Sequence, residues 1–199
     1  MRIDIKTGLI QDIAYFPAGA ANSSERSSSD NISLLVIHDT EIVAPLAQPY
    51  NRSIVHYMFT GQYEQLKQTY PKEYSEIFPN DAIRNVSAHV VIRRSGEMIQ
   101  YVPFLQAAHH AGVSEYKGQT NCNDFSIGIE LEGYANRDDF LYTDAQYDSL
   151  AELTKAIIQA YSLITLDAIV GHEDIARPIG RKTDPGATFD WQRYRKLIL

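Results

Sequence analysis

The sequence predicts an α/β fold in which a mixed central β-sheet is flanked by α-helices. Strand-like and helix-like segments alternate without a regular βαβ repeat, which favours a mixed sheet over a fully parallel one. Hydrophobic residues make up 44% of the chain and charged residues 22%, as is usual for a globular protein. The length of 199 residues suits one substantial core. We therefore expect residues 1–199 to form a single domain.

The predicted strands are apolar segments bounded by polar residues. Residues 33–40 have the composition of a buried strand, and residues 86–104 predict a hairpin that turns at 94–96. A further strand is expected within residues 125–133, where apolar and other residues alternate, and a short one within 166–172.

Two helices follow from periodicity and capping. Thr143 and Gln146 match a capping box, and apolar residues then recur at three- and four-residue spacing up to Leu163. Residues 189–199 predict a terminal helix.

Two segments lack a single strong pattern. Residues 21–31 are rich in serine and predict a polar loop after a short N-terminal strand or arm. Residues 41–85 predict a long, variable excursion with short helices near 51–59 and 61–69, which could form a wall beside a site. We expect His56 in this excursion to be exposed. The excursion contains prolines at positions 45, 49, 71 and 79.

Charge and cysteine content exclude several classes of protein. The net charge is 18 − 25 = −7, so the electrostatic attraction that drives general nucleic-acid binding is absent, and an anionic membrane is an equally poor partner. The single cysteine, Cys122, cannot form an intrachain disulfide and is expected to be a small buried residue. The chain shows neither a signal-like start nor an apolar run of about 18 residues. These features predict a cytoplasmic location.

Residues 171–186, GHEDIARPIGRKTDPG, crowd charged residues into a stretch that cannot be helical. Pro185 disfavours the α region for Asp184, so this part of the chain should be extended. Lys182 and Asp184 should then point to one side, and Arg181 and Thr183 to the other. A surface ion pair is the alternative interpretation of this stretch.

Two histidines at strand ends suggest a metal site. His38 closes the apolar segment LLVIH, and His172 follows AIVG. With Asp184 they would offer two nitrogens and one oxygen, a set that suits Zn²⁺ with a fourth position open. Either histidine could instead be a packed or capping residue.

Glu130 is the candidate general base. It shares one face of its predicted strand with Gly128 and Glu132, and on a solvent-facing side it would be an ordinary exposed carboxylate. If that face borders the site, Glu130 could accept a proton from an activated water, and Lys182 could stabilise the resulting oxyanion.

Seven ordered blocks resemble the AmpD-type N-acetylmuramoyl-L-alanine amidases. The resemblance implies the fold of peptidoglycan recognition proteins and a zinc ion held by His38, His172 and Asp184, with Glu130 as catalytic acid/base and Lys182 beside the transition-state oxygen. It implies hydrolysis of the amide between (1,6-anhydro-)N-acetylmuramic acid and L-alanine of a small muropeptide, during cytoplasmic peptidoglycan recycling. The blocks are LLVIH, VSAHVVIRRSGEMIQYVPF, HAGVSEYKG, CNDFSIGIELEG, YTDAQY, GHEDIA and RKTDPGATFDW.

The resemblance leaves the substrate contacts open. The first zinc ligand is usually followed by asparagine, where this chain has Asp39, and the family's Trp-His-Ala-Gly begins here with His109. The segment between His172 and Asp184 is about two residues longer than usual. A structural role for His89 and a surface position for His110 are the alternatives to substrate contact. We expect substrate contacts from Asp39, Arg84, His89, His110 and Asn121.

Other functions remain open at this point. A non-catalytic peptidoglycan-binding module would have the same fold, and an amidase of intact peptidoglycan would have the same ligands. A phage-type lysin is disfavoured because the third ligand is aspartate. We expect a monomer.

Overall fold

The computed structural model describes residues 1–45 and 49–199, and within those ranges it contains twelve β-strands and six α-helices. None of the described helices is both long and apolar enough to cross a membrane. The strands are β1 (Ile3–Asp4), β2 (Leu9–Ile10), β3 (Ala14–Tyr15), β4 (Ser23–Glu25), β5 (Leu34–Asp39), β6 (Val90–Ile92), β7 (Met98–Gln100), β8 (Gln106–Ala108), β9 (Glu115–Tyr116), β10 (Gln119–Thr120), β11 (Ser126–Leu131) and β12 (Ile169–Gly171). The helices are α1 (Ile54–Phe59), α2 (Tyr63–Thr69), α3 (Pro71–Ile77), α4 (Asp144–Ala160), α5 (His172–Ile175) and α6 (Trp191–Ile198).

The central sheet has six strands in the order β12-β5-β11-β6-β7-β3. The four strands β12, β5, β11 and β6 run parallel to one another. Strand β7 then pairs antiparallel with β6 in the hairpin expected from residues 86–104. Strand β3 pairs parallel to β7 at the edge. The sheet is therefore mixed, as the sequence predicts.

One face of the sheet packs against α4 and α6. On β11, the alternate residues Ile127, Ile129 and Leu131 are buried in one cluster with Leu150 and Ile157 of α4. Each such side chain contributes about 1.5–3 kcal/mol of burial free energy. The other residues of β11 therefore face the opposite side of the sheet.

The start of α4 confirms the capping box. The Thr143 hydroxyl accepts from the Gln146 amide, and the Gln146 side chain accepts from the Thr143 amide. Two orphan amides at the helix start are thereby satisfied. Helix α4 ends at Ala160, three residues before the predicted end.

The opposite face of the sheet is covered by helices from the 41–85 segment. Val55 and Phe59 of α1 pack on Val91 and Tyr101, and a second small cluster joins α1 to α2 and α3. Helix α3 was not predicted; it begins at Pro71, whose missing N–H costs nothing in the first turn of a helix. Residues 46–48 of the expected excursion lie outside the described residues.

The expectation that 21–31 is only a polar loop is wrong. Strand β4 pairs antiparallel with β8, and a short 3₁₀ turn follows at Ser29–Asn31. The sequence gives no sign of this strand, because the serine-rich segment lacks an apolar run. Hydrogen bonds of polar groups hold the segment in place instead. The buried Asn22 amide donates to the carbonyls of Met58 and Val86.

The expectation that His56 is exposed is also wrong. His56 is buried in α1, where its Nδ1 lies 3.0 Å from the Tyr101 hydroxyl and its ring packs edge-on against Phe16. The prolines around α1 hide the helical period that would have placed His56 on the packed face. Burial lowers the pKa of His56 to about 4.

We predict that His56 contributes to acid sensitivity. The unfolded chain protonates His56 near pH 6.5 but the folded chain only near pH 4, so its stabilising contribution is present above pH 6.5 and is lost as pH falls toward 4. His56→Gln should reduce the loss of unfolding free energy over this range by about 1–3 kcal/mol. Urea denaturation of the metal-free protein at several pH values measures this, and an unchanged pH dependence would contradict it.

Candidate active site

The parallel strands bring the predicted site residues to one edge of the sheet. His38 of β5 is in register with Glu130 of β11, and Gly171 of β12 is in register with Ile37, so His172 follows immediately beside them. The carboxyl ends of parallel strands are where α/β folds commonly place their ligand sites. A cavity of about 240 Å³ opens there, with polar walls from His38, Asp39, Thr40, Glu41, Arg84, Ser87, His109, His110, Glu130, His172, Lys182 and Asp184, and apolar walls from Ile42, Val55, Met58, Phe59, Ile77, Phe78 and Val86.

Three of these side chains form a compact cluster that could hold a metal ion. His38 Nδ1 lies 3.0 Å from Asp184 Oδ2 and 3.1 Å from His172 Nδ1, and His172 Nδ1 lies 3.1 Å from Asp184 Oδ2. All three residues are buried. Donors about 2.0–2.1 Å from a tetrahedral zinc ion are about 3.3 Å apart, so this donor set fits such an ion closely.

Burial prepares the cluster electrostatically. Burial, followed by the neighbouring His172, lowers the pKa of His38 to about 4, so its imidazole is neutral at neutral pH. Burial would raise the pKa of Asp184, but its close contacts with His172 and His38 outweigh burial and lower that pKa. The neutral imidazole and the ionised carboxylate are the forms that bind a metal.

The side chains around Asp184 point to alternate sides of the chain, as expected for the extended segment before Pro185. Lys182 and Asp184 both line the cavity. Arg181 Nη2 instead donates to the carbonyls of Ala111 and Val113, and the Thr183 hydroxyl donates to Asn136.

Close packing brings Asp184 beside the end of β12. A Cβ at Gly171 would lie 2.8 Å from the Pro185 ring and 3.2 Å from the Asp184 carbonyl. The Glu173 amide donates to that same carbonyl. A larger residue at Gly171 would therefore push Asp184 away from His172.

Glu130 faces the cavity with one oxygen unpaired. Its Oε2 is inaccessible to solvent and has no hydrogen-bond partner among the described residues. Burial raises the pKa of Glu130 well above its ordinary value, and the charges of Asp184 and Asp39 add to this shift, while Lys182 opposes it. A buried carboxyl group without a partner is poised to exchange a proton with a molecule in the cavity.

Three of the five expected substrate-contact residues line the cavity: Asp39, Arg84 and His110. Asp39 is buried there, its Oδ1 accepts from the Glu41 amide, and burial raises its pKa to about 7. Arg84 also lines the cavity and is exposed. Together with Glu41 and Lys182, they give the cavity charges of both signs.

His110 lines the cavity from a buried position, whereas His89 and Asn121 are not among the lining residues. His110 borders the cavity but is not on the surface: its Nδ1 lies 2.9 Å from His38 Nε2 and its Nε2 lies 3.1 Å from Ser126 Oγ. The contact expected from His89 is wrong, because His89 is fully buried, lies outside the cavity wall and accepts from the Gly128 amide. Asn121 is exposed, occupies a left-handed turn at φ 59° and does not line the cavity, so its contact with substrate stays a prediction.

Two residues next to the site were not predicted. Ser126 contacts His110, and Asn123 Oδ1 accepts from the amides of His110 and Ala111. Strand alternation could have revealed Ser126, because it shares a face with Gly128 and Glu130. The Asn123 contact depends on how two loops meet, for which the sequence carries no comparable signal.

Comparison with known proteins agrees with this geometry. The family described as N-acetylmuramoyl-L-alanine amidase matches residues 28–187. The chain belongs to the N-acetylmuramoyl-L-alanine amidase family. The expectation of an amidase, rather than a non-catalytic binding module, is thereby confirmed.

The amidase is similar to named relatives over most of its length. It is 45% identical over 173 residues to the 1,6-anhydro-N-acetylmuramyl-L-alanine amidase AmpD of Escherichia coli K12, covering 87% of this chain and 86% of the relative. A crystal structure of a selenomethionine derivative of AmpD superposes with a TM-score of 0.81 at 41% identity over 100% of both chains. The predicted fold class is confirmed.

A more distant structure carries a ligand. AmpDh3 of Pseudomonas aeruginosa, in complex with an anhydromuramic pentapeptide, is 27% identical to the amidase with a TM-score of 0.58. The match covers 84% of this chain and 60% of that one.

Proposed function

We propose that this amidase uses zinc to hydrolyse the amide between the lactyl group of 1,6-anhydro-N-acetylmuramic acid and L-alanine in small muropeptides. The observation that carries the proposal is the meeting of two histidine nitrogens and a carboxylate oxygen in a cavity that the Glu130 side chain also lines. The names of the E. coli relative and of the P. aeruginosa complex support the substrate.

We assign the metal to His38, His172 and Asp184. When bound, zinc supplies Lewis acidity, which polarises an amide carbonyl and makes water more acidic. The site is closed on its protein side by buried residues and open only toward the cavity, so the three side chains leave the cavity side free for substrate and water.

Glu130 moves the proton in this mechanism. Its carboxylate takes a proton from the water that attacks the lactyl carbonyl carbon, and the raised pKa lets it hold that proton within the cavity. It then delivers the proton to the alanine nitrogen as the carbon–nitrogen bond breaks. The products are a lactyl carboxylate and a peptide with a free amino terminus.

Lys182 and the cavity walls complete the site. The Lys182 ammonium lies with Asp184 on the same wall and would stabilise the negative charge that develops on the carbonyl oxygen. Arg84 and Asp39 would contact the charged groups of the peptide. Because all of these groups come from one chain, we propose a monomer. The free Cys122 thiol is compatible with recycling of muropeptides in the cytoplasm.

We predict that the protein binds about one zinc ion per chain and loses activity when zinc is removed. Asp184→Ala should lower the zinc content because it removes one of three ligands, whereas Asp139→Asn, which changes an exposed carboxylate, should not. Elemental analysis after dialysis gives the stoichiometry. A metal-free protein that retains full activity would exclude zinc catalysis.

We predict that Glu130→Gln lowers kcat by about 10²–10⁴-fold with zinc content unchanged, because the amide cannot carry the proton. Glu132→Gln, one residue beyond the end of the same strand, is the control. Glu132 accepts from the amides of Ala44 and Arg94 outside the cavity, so this variant should lose stability rather than kcat. Equal kcat for Glu130→Gln and wild type would remove Glu130 from the mechanism.

We predict faster release of peptide from a soluble anhydromuropeptide than from intact sacculi. The cavity of about 240 Å³ is small, which favours a small substrate over a polymer. Chromatography of the released peptides compares the two. Faster release from sacculi would support the alternative, an amidase of intact peptidoglycan.

A further inference from the structure

We propose that Ser126 and His110 form a positioning relay that keeps the proton of His38 on Nε2 and so presents Nδ1 as the metal-binding atom. The inference deepens the proposed function, because it concerns the same metal site. It describes hydrogen positions within the protein, however, and can be tested without any metal.

The direction of the relay is set at Ser126. The Ser126 hydroxyl lies 2.6 Å from the carbonyl oxygen of Cys122 and 3.1 Å from His110 Nε2. Between a hydroxyl and a carbonyl only the hydroxyl has a proton to give, so Ser126 donates to Cys122. Toward His110, Ser126 can then only accept. His110 Nε2 must therefore carry a proton and donate it.

The direction passes through His110 to His38. A neutral imidazole with a proton on Nε2 has a lone pair on Nδ1. His110 is buried, where an unpaired charge is costly, so its ring is neutral, and its Nδ1 lies 2.9 Å from His38 Nε2. His38 Nε2 therefore donates to His110, and His38 Nδ1 is left with a lone pair directed at Asp184 and His172.

Ala111, the residue after His110, fixes the proton of His172 in the same way. His172 Nε2 lies 3.1 Å from the carbonyl oxygen of Ala111, which can only accept, so His172 also keeps its proton on Nε2 and a lone pair on Nδ1. Asn123 Oδ1 holds the amides of both His110 and Ala111 at 3.1 and 2.8 Å. One loop thus sets the orientation of both histidines.

Packing fixes the ring of His110 against rotation. A Cβ at position 128 would lie 2.5 Å from His110 Cγ, so Gly128 provides the space that the ring fills. The His110 ring meets the His38 ring edge-on, with centroids 4.9 Å apart and planes at 82°. Residues of this kind, which orient metal ligands through a hydrogen bond, commonly change metal affinity by about 10–100-fold when removed.

The competing arrangement is a proton on His38 Nδ1. In that state His38 would donate to Asp184 Oδ2, 3.0 Å away, and the proton would have to leave before a metal could bind. Without the acceptor at Ser126, His110 can move its proton to Nδ1 and donate to His38, which favours this state. The relay and the competing state therefore predict opposite protonation of the same ring.

The test is ¹⁵N NMR of histidine side chains in metal-free protein at pH 8, combined with zinc competition against a chromophoric chelator. Wild type should show His38 protonated on Nε2. Ser126→Ala should increase the form protonated on Nδ1 and weaken zinc binding by about 10-fold or more. Ser126→Thr, which keeps a hydroxyl, should restore both. His110→Asn, whose side-chain oxygen can accept in place of Nδ1, should bind zinc more tightly than His110→Ala.

A control separates positioning from stability. Thr154→Val removes a buried hydroxyl that bonds Tyr194 at 2.7 Å, far from the site, and should lower stability without changing the His38 tautomer or the zinc affinity. A wild-type His38 protonated on Nδ1, or a folded Ser126→Ala variant with wild-type tautomer and affinity, would overturn the relay. If His38 is protonated on Nε2 and zinc does not bind at all, the relay stands and the zinc proposal fails.

Discussion

The pairing of β5 with β11 is the interaction on which the site depends. Six consecutive residue pairs hold these strands in parallel register, with His38 opposite Glu130. A slip by one residue would turn Glu130 into the apolar layer under α4 and bring Ile129 to the cavity. The apolar alternation of β11 makes such a slip costly, because Ile127, Ile129 and Leu131 are all buried against the helix. The core therefore fixes the register, and the register fixes the spacing of His38 and Glu130.

Burial shifts the pKa values of the site residues in opposite directions: it lowers that of His38 and raises that of Glu130. It keeps His38 neutral and Glu130 inclined to hold a proton, yet Asp184 in the same region remains ionised because two histidines contact it. Groups with such different proton affinities around one cavity are typical of acid–base enzymes. The ring nitrogens that face away from the cluster also need hydrogen-bond partners. His110 provides one for His38, and the Ala111 carbonyl provides one for His172.

Much of this arrangement can be predicted from the sequence, because short-range patterns encode it. Apolar runs gave the strands, the capping box gave α4, and Pro185 indicated the side on which Lys182 and Asp184 lie. The failures have a common cause. Strand β4, the buried His56 and the hydrogen bonds of Asn123 depend on partners distant in the chain, and the polar residues involved look like surface residues when only their neighbours are considered.

Arg26, in the N-terminal part of the chain, stabilises the backbone next to the site through hydrogen bonds. Its buried guanidinium donates to the carbonyls of Phe104, Asn123, Asp124 and Ser126, so it ties the serine-rich segment to the loop and strand behind the metal cluster. The family match begins at residue 28, just after it. A domain trimmed to that boundary would leave four inward-facing carbonyls without their donor. The folded unit therefore extends beyond the matched segment 28–187, because Arg26 stabilises it from the inside.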